Sequence, residues 1–410
     1  MESIDRINFF LKKFKIFLYI NSFIKARILN INLRNLDRNY FVKKSRIKNY
    51  KYNEEKVCAL IKENLNSRNL IINSSTSKRP NILFVGTNSF QDHSGIIQSL
   101  KNIGNVELIY KENGEYGFHS MNLNNQNKKY DDFTVKVNSQ IVLNKVDKLI
   151  KEEKIDVLIG QMWANYISLQ TLKKIRNMGI VVVNIAMDDM LPEHWKSKNG
   201  IKLGAIGLAP EVDLTLNTSK NKCEWYYVDG YPSIFWPLAS NIETFSKRKK
   251  YERDIDVSFI GSKYGIRESL VNFLKKNGIN IQAYGHFWPN GAISPEETAE
   301  VFQRTKIILG CGTIGHTDDV YTIKLRDFDA PISGAMYITH ENEDLKELYE
   351  EEKEIIFYKN KYECLKKINF FLNEKNIREK IAAAGQSRAI KEHTWDLRFQ
   401  ELFSTINRLR

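Results

Sequence analysis

The sequence has few cysteines and no long apolar run, and it is short of acidic residues in one region. Its four cysteines, Cys58, Cys223, Cys311 and Cys364, show no CxxC spacing. That argues against a zinc site and reads as free thiols in a reducing cytosol. No apolar stretch reaches the ~18 residues needed to span a bilayer. The most apolar part, Ile7 to Leu29, is broken by Lys12, Lys13, Lys15, Lys25 and Arg27. Its longest uninterrupted run, IFLYI (Ile16 to Ile20), is too short for the apolar region of a signal peptide. The first fifty residues hold three Asp or Glu against twelve Lys or Arg, a net +9 of the chain's +13. The basic character therefore belongs to an N-terminal extension and not to the body of the protein. Two readings of FFLKKFKIFLYINSFIKARIL stand side by side: a helix lying on an anionic membrane surface through residues 7–29, or a helix packed on the protein itself with its lysines in water. No recognition motif accompanies the charge, so nucleic acid is not expected as a partner.

What is present is a chain of 410 residues with 42% hydrophobic content. That length exceeds the usual single-core limit of roughly 250–300 residues, so two domains are expected. After the polar stretch INSSTSKRP the pattern changes. NILFVG, VELIY, IDVLIG and IVVVNIAM read as strands, and the helical patterns IIQSLKNIG, NSQIVLNKVDKLIKEEK and SLQTLKKIRNMG lie between them. A second series follows YPSIFWPLASN: DVSFIGS, INIQAYG, KIILGCG and AMYIT as strands, IRESLVNFLKKNG and SPEETAEVFQRT as helices. Strands alternating with helices of this length predict parallel sheets with helices on both faces, and the continuous apolar strands fit sheets buried on both sides. The expected layout is an extension over 1–75, a first Rossmann-like doubly wound domain over 76–240, a second over 241–410, and a cleft between them.

The stretch KLRDFDAPISGAMY, residues 324–337, places four charges beside small apolar residues. If DAPIS opens a helix, its amides point into the cleft and favour an anion such as a diphosphate. Lys324 and Arg326 add full positive charge, Asp329 falls within reach of ribose hydroxyls, and Gly334 ends the helix. Arg267, after the Gly261–Ser262 loop, is a second phosphate candidate. Gly312 belongs to GCGTIG (Gly310 to Gly315), which fits the GxGxxG of dinucleotide sites. No helix start follows it, so an oxidoreductase using that loop is an alternative and not the main reading. DFD (Asp327 to Asp329) mimics a metal-holding DxD in the wrong context, and no metal or other cofactor is expected.

At this point the residues carry a resemblance. DVSFIGSKYGIR, YGHFWPNGAIS, KLRDFDAPISGAMYIT, ELYEEEKEIIFYKN and IAAAGQSRAIKEHTW, in this order and spacing over about 255–395, resemble the C-terminal domain of group 1 glycosyltransferases of the GT-B fold. Within that group they look like the branch similar to spore-maturation CgeB-like proteins. The first domain matches more weakly, through VNIAMDD and YPSIFWPLASN. The resemblance implies sugar transfer from a nucleotide-sugar donor held by the C-terminal domain, with no essential metal. The acceptor would be a glycan, a lipid-linked glycan or a protein, in cell-surface glycan biosynthesis. The free thiols lead to the expectation of a cytoplasmic protein, and the basic segment 7–29 adds a peripheral position on the inner face of the membrane. In the wider family two Glu with seven residues between them mark the donor site. Asp329 takes the second position, whereas the first falls at Tyr321, which is not acidic. A degenerate domain that binds without turnover is the non-enzyme alternative.

The first domain should supply the acceptor side. QDHSG (Gln91 to Gly95) follows the first strand, and His93 has the pKa range of a general base. Asp188 and Asp189 follow the strand IVVVNIAM and are the other candidates to bind or deprotonate the acceptor. A plain capping or turn role is the alternative for all three.

Overall fold

The computed structural model describes residues 52–68, 79–120, 131–195, 197–198, 200–246, 251–315, 317 and 320–408, with a few positions between 24 and 44. The proposed membrane-surface segment 7–29 lies almost wholly outside them. Among the described residues no helix is long and apolar enough to cross a membrane.

Two all-parallel sheets carry the molecule. The first contains β1 (Asn81–Val85), β2 (Asn105–Leu108), β3 (Val157–Gly160), β4 (Val181–Ala186), β5 (Leu214–Asn217) and β6 (Ser233–Phe235), in the order β2-β1-β3-β4-β5-β6. The second contains β7 (Ile255–Ile260), β8 (Ile281–Tyr284), β9 (Thr305–Leu309), β10 (Met336–His340) and β11 (Ile356–Tyr358), in the order β8-β7-β9-β10-β11. In both, the chain starts on the strand next to one edge, pairs outward to that edge and then reverses across the sheet. The crevice at that reversal, at the carboxyl ends of the strands, is where open α/β sheets bind ligands. Strands β1, β3 and β4 are buried at every position, as their unbroken apolar runs require when helices cover both faces.

Several helices follow from local chemistry. Before Pro295–Arg304, Ser294 and Glu297 form a reciprocal capping box with proline at the first helical position. The helix Arg267–Lys276 runs into Gly278 at φ +86°, a left-handed position that suits glycine.

The chain departs from the expected domain layout at both ends. Helix α1 (Glu54–Asn66) lies inside the span assigned to the extension, yet it buries Val57, Ile61 and Leu65 in the core of the first domain. Their spacing of four places all three on one helical face. At the other end, helix α2 (Trp395–Arg408) leaves the second domain and packs on the first. The Trp395 ring lies 5.6 Å from that of Trp236. The crossing is fixed by backbone bonds from Ser240 to His393 and from Trp395 to Ser240, each 3.0 Å. The last helix thus ties the two domains together across the cleft.

Candidate functional site

The cleft holds a cavity of about 350 Å³ lined by both domains. The second domain contributes its strand ends and the loops after them. Arg267, only 4% exposed, donates from Nη1 to the Ser262 carbonyl (3.0 Å) and from Nη2 to the Cys311 carbonyl (3.2 Å). Its guanidinium lies 3.9 Å from the centroid of the Tyr264 ring. Arg326, 9% exposed, donates from Nε to the Ile260 carbonyl (2.5 Å) and lies over the Phe259 ring. Arg267 Nε and Arg326 Nη1 are buried and find no protein acceptor. Neither arginine has a carboxylate partner among the described residues. Two adjacent buried cations, each with a spare donor, are costly unless they meet an anion with several oxygens. Burial pushes the Arg267 pKa down, but a guanidinium keeps its proton at any working pH.

The glycine after β7 is part of this arrangement. Gly261 has φ +154°, and a Cβ there would collide with the Arg326 guanidinium. Ser262 lines the cavity as expected. Two other glycines do not belong to the site. Gly312 accepts a bond from the Thr322 amide and is closed in by that residue. Gly334 ends its helix at φ +79°, as expected, but faces Gln386 and not the cavity. The GCGTIG loop opens no helix; Thr313 instead bridges to Tyr321.

The expected helix start at DAPIS is displaced. The helix Arg326–Ile332 begins earlier, so Asp329 to Ile332 are its interior and end. The amides of Asp327, Phe328 and Asp329 donate to the carbonyls of Lys324 and Leu325, and Asp327 Oδ2 accepts from the Lys324 amide. No fan of free amides faces the cleft from DAPIS, so an anion there would have to be held by side chains. Asp327 is consumed structurally, with Tyr337 as its second donor. At the position where the family has its first glutamate, Tyr321 stacks on His340 with centroids 4.5 Å apart.

Asp329 lines the cavity and accepts from Ser240 Oγ at 2.6 Å. Burial raises its pKa from 3.8 to about 7. Between those values the folded protein holds a proton that the unfolded chain has released, so this carboxyl costs stability as pH rises. Asparagine cannot ionise. The variant Asp329→Asn should therefore gain thermal stability over wild type progressively from about pH 4 to about pH 7 and keep a constant lead above that. Melting curves across the pH series check this; a lead that does not vary with pH means Asp329 titrates as an ordinary carboxylate.

The first domain lines the cavity with Gln91, Met187, Asp188 and Thr218, all just past the ends of its strands. The two aspartates separate. Asp188 sits at φ +57°, a left-handed turn that turns its side chain toward the second domain. There it pairs with Lys324 Nζ at 2.9 Å, and the lysine's charge holds its carboxyl below the usual range. Lys324 thus reaches the cavity as expected, but as a partner of the opposite wall. Asp189 points inward, contrary to expectation. Its carboxylate accepts from Tyr226 Oη (2.6 Å) and Asn217 Nδ2 (3.2 Å), and burial pushes its pKa up. His93 is also misplaced by the sequence reading. Its ring is exposed and tied by Nδ1 to the Ser89 carbonyl (2.9 Å), and it does not line the cleft cavity.

The residue of QDHSG that faces the cleft is Gln91. Its neighbour Asp92, fully buried, accepts from the amides of Thr87 and Asn88, from Tyr116 and from Gln161. Both were missed because a histidine drew the functional reading. A five-residue wide turn over Asp92–Ile96 rotates His93 outward, and no residue pattern announces such a turn.

The comparisons agree with the two-domain fold. Residues 267–404 match the family model described as glycosyl transferase-like. Among solved structures, the Anabaena protein HepE in complex with UDP and glucose superposes with a TM-score of 0.55 at 13% identity, covering 80% of this chain and 99% of that one. Sucrose-phosphate synthase from Thermosynechococcus elongatus gives 0.56 at 10% identity, covering 81% and 99%. A glycosyltransferase from Rickettsia africae gives 0.53 at 12% identity over the same shares. None of the curated proteins matches the sequence. The glycosyl transferase-like match thus spans most of the second domain, and the two-domain architecture of the whole chain is the GT-B fold.

Proposed function

We propose that the protein moves a sugar from a nucleotide-sugar donor to a glycan, lipid-linked or protein acceptor, with the donor diphosphate on Arg267 and Arg326. The observation that carries this is the pair of buried guanidiniums with spare donors at the carboxyl ends of the second sheet. HepE, of similar fold, is described in complex with UDP and glucose, which supports a uridine nucleotide as the first donor class to try. Asp329 is the candidate for the ribose hydroxyls, because a carboxylate accepts from two at once. Asp188 is the candidate base, standing where both domains meet. The leaving diphosphate would be stabilised by charges already in place before the reaction. Calorimetry with UDP, GDP and CMP, followed by turnover of the matching nucleotide sugar, tests the reading. Binding without turnover would mean a degenerate binder, and no binding to any nucleotide would refute the donor site. The placement within the CgeB-like branch is part of the same proposal and rests on the sequence motifs.

A peripheral membrane position is proposed from the basic segment 7–29. Ile24, Ile28 and Ile31 are helical, share one face by their spacing and are each about half exposed. Full-length protein should pellet with anionic liposomes at low salt and be released as the Debye length falls to about 3 Å at 1 M. Failure to pellet at low salt removes the proposal.

A further inference from the structure

A second cavity, of about 260 Å³, opens in the first domain beside the first. Gln91, Met187 and Asp188 line both, so a ligand in the second lies next to whatever fills the first. Its volume is just under the ~300 Å³ at which small-molecule pockets usually begin, which suits one ring and not a chain.

Its lining is specific. Phe118, Trp163 and Tyr166 supply aromatic surface, and the Trp163 and Tyr166 rings lie 5.9 Å apart. The indole N–H of Trp163 has no protein acceptor. Asn88, Gln91 and Gln161 supply amides that both donate and accept. Among the described residues the only charge on this lining is Asp188, which is negative and already paired with Lys324. A phosphate or carboxylate would meet no cation here and would face like charge. A sugar ring matches both halves of the lining: its C–H faces lie against aromatic rings, and its hydroxyls exchange bonds with amides.

The polar side of this cavity has one organiser. Asp92 Oδ2 accepts from the amides of Thr87 and Asn88, both at 3.1 Å, and Oδ1 accepts from Gln161 Nε2 at 2.9 Å. All three of those residues line the cavity. Gln161 Oε1 in turn accepts from Gln91 Nε2 at 3.3 Å. A single buried carboxylate thus sets the loop after β1 and the residue after β3 relative to each other. We propose that this second cavity binds the acceptor through a neutral sugar ring, and that Asp92 is the positioning residue that shapes it. This rests on the sugar-transfer reading above and gives it a substrate class.

The test uses the full chain saturated with UDP and a set of methyl glycosides, read by ligand-observed NMR and calorimetry. The neutral probes are methyl glucoside, methyl galactoside and methyl N-acetylglucosaminide; the anionic ones are methyl glucuronide and methyl glucoside 6-phosphate. At least one neutral glycoside should bind, the anionic ones should not, and Trp163→Ala should abolish binding. Asp92→Asn should weaken the glycoside about tenfold while the UDP affinity stays within about twofold. Should that variant not fold, Gln161→Leu removes the same contact and should weaken the glycoside in the same direction. Binding of anionic glycosides as well as or better than neutral ones overturns the proposal. UDP binding with no glycoside binding also overturns it while leaving the donor site standing. Glycoside binding without UDP binding upholds this cavity and removes the donor reading instead. If Asp92→Asn lowers the melting temperature but leaves the glycoside affinity unchanged, Asp92 is structural only.

Discussion

Arg326→Ala should weaken binding of the donor nucleotide diphosphate by about 1.5–3 kcal/mol, roughly ten- to a hundred-fold, the range for a hydrogen bond to a charged group. The guanidinium is held by the Ile260 carbonyl through Nε, which leaves Nη1 as the group with no protein acceptor. It lies beside Gly261 and above Phe259, so its position is fixed before any ligand arrives. A preorganised cation loses little entropy on binding, and its deletion removes most of what it contributes. Arg326→Lys should recover only part of the loss, since a lysine has a point charge and no planar fork. Arg267→Ala should have a comparable effect, because it stands on the same side with its own unpaired Nε. Calorimetry with the free nucleotide diphosphate reads all three directly. Unchanged affinity in both alanine variants, with the fold intact, would move the anion site elsewhere.

The two sheets were legible in the sequence because parallel strands buried on both faces announce themselves as unbroken apolar runs, as in NILFVG and IVVVNIAM. The strands LTLN (Leu214–Asn217) and SIF (Ser233–Phe235) were not, being too short and mixed to stand out from the surrounding loops. The second domain's side of the cleft cavity was partly legible. Arg267, Lys324, Arg326 and Asp329 do meet at one cavity, because charge next to small residues at a strand end has few other uses. The amides of DAPIS were misassigned because the helix already starts at Arg326, before the proline, where the Asp327 carboxylate takes the Lys324 amide and no side chain caps the first turn. Asp188 and Asp189 are indistinguishable by composition. Only the left-handed backbone at Asp188 sends one outward and the other into the Tyr226–Asn217 pocket. The crossing of the last helix onto the first domain depends on contacts between residues about 160 positions apart, such as Trp236 with Arg398, which no local pattern encodes.

Asp188→Asn should lower kcat by about 10²–10⁴, the contribution of a positioned general base, while leaving donor affinity unchanged or improved. The reasons lie in its surroundings. Asp188 lines both cavities, so with a donor sugar in one and an acceptor hydroxyl in the other it would stand between them. Its ion pair with Lys324 keeps it ionised, which a base requires, but also makes it a weak one. A donor diphosphate would compete for Lys324. As that lysine turns toward phosphate oxygens, the carboxylate loses the charge that depresses its pKa and becomes a stronger base when the donor is in place. The sign follows. The acid limb of kcat/KM, which reports the free enzyme, should lie below the ordinary carboxylate range of about 3.9. The acid limb of kcat, which reports the loaded enzyme, should lie at higher pH. The asparagine variant should lose the separation between the two limbs along with the rate. His93→Ala is the contrast: an exposed ring outside both cavities should leave kcat within about threefold of wild type. If Asp188→Asn keeps its turnover and His93→Ala loses it, the base lies on the loop after β1, and the Lys324–Asp188 pair only holds the domains together.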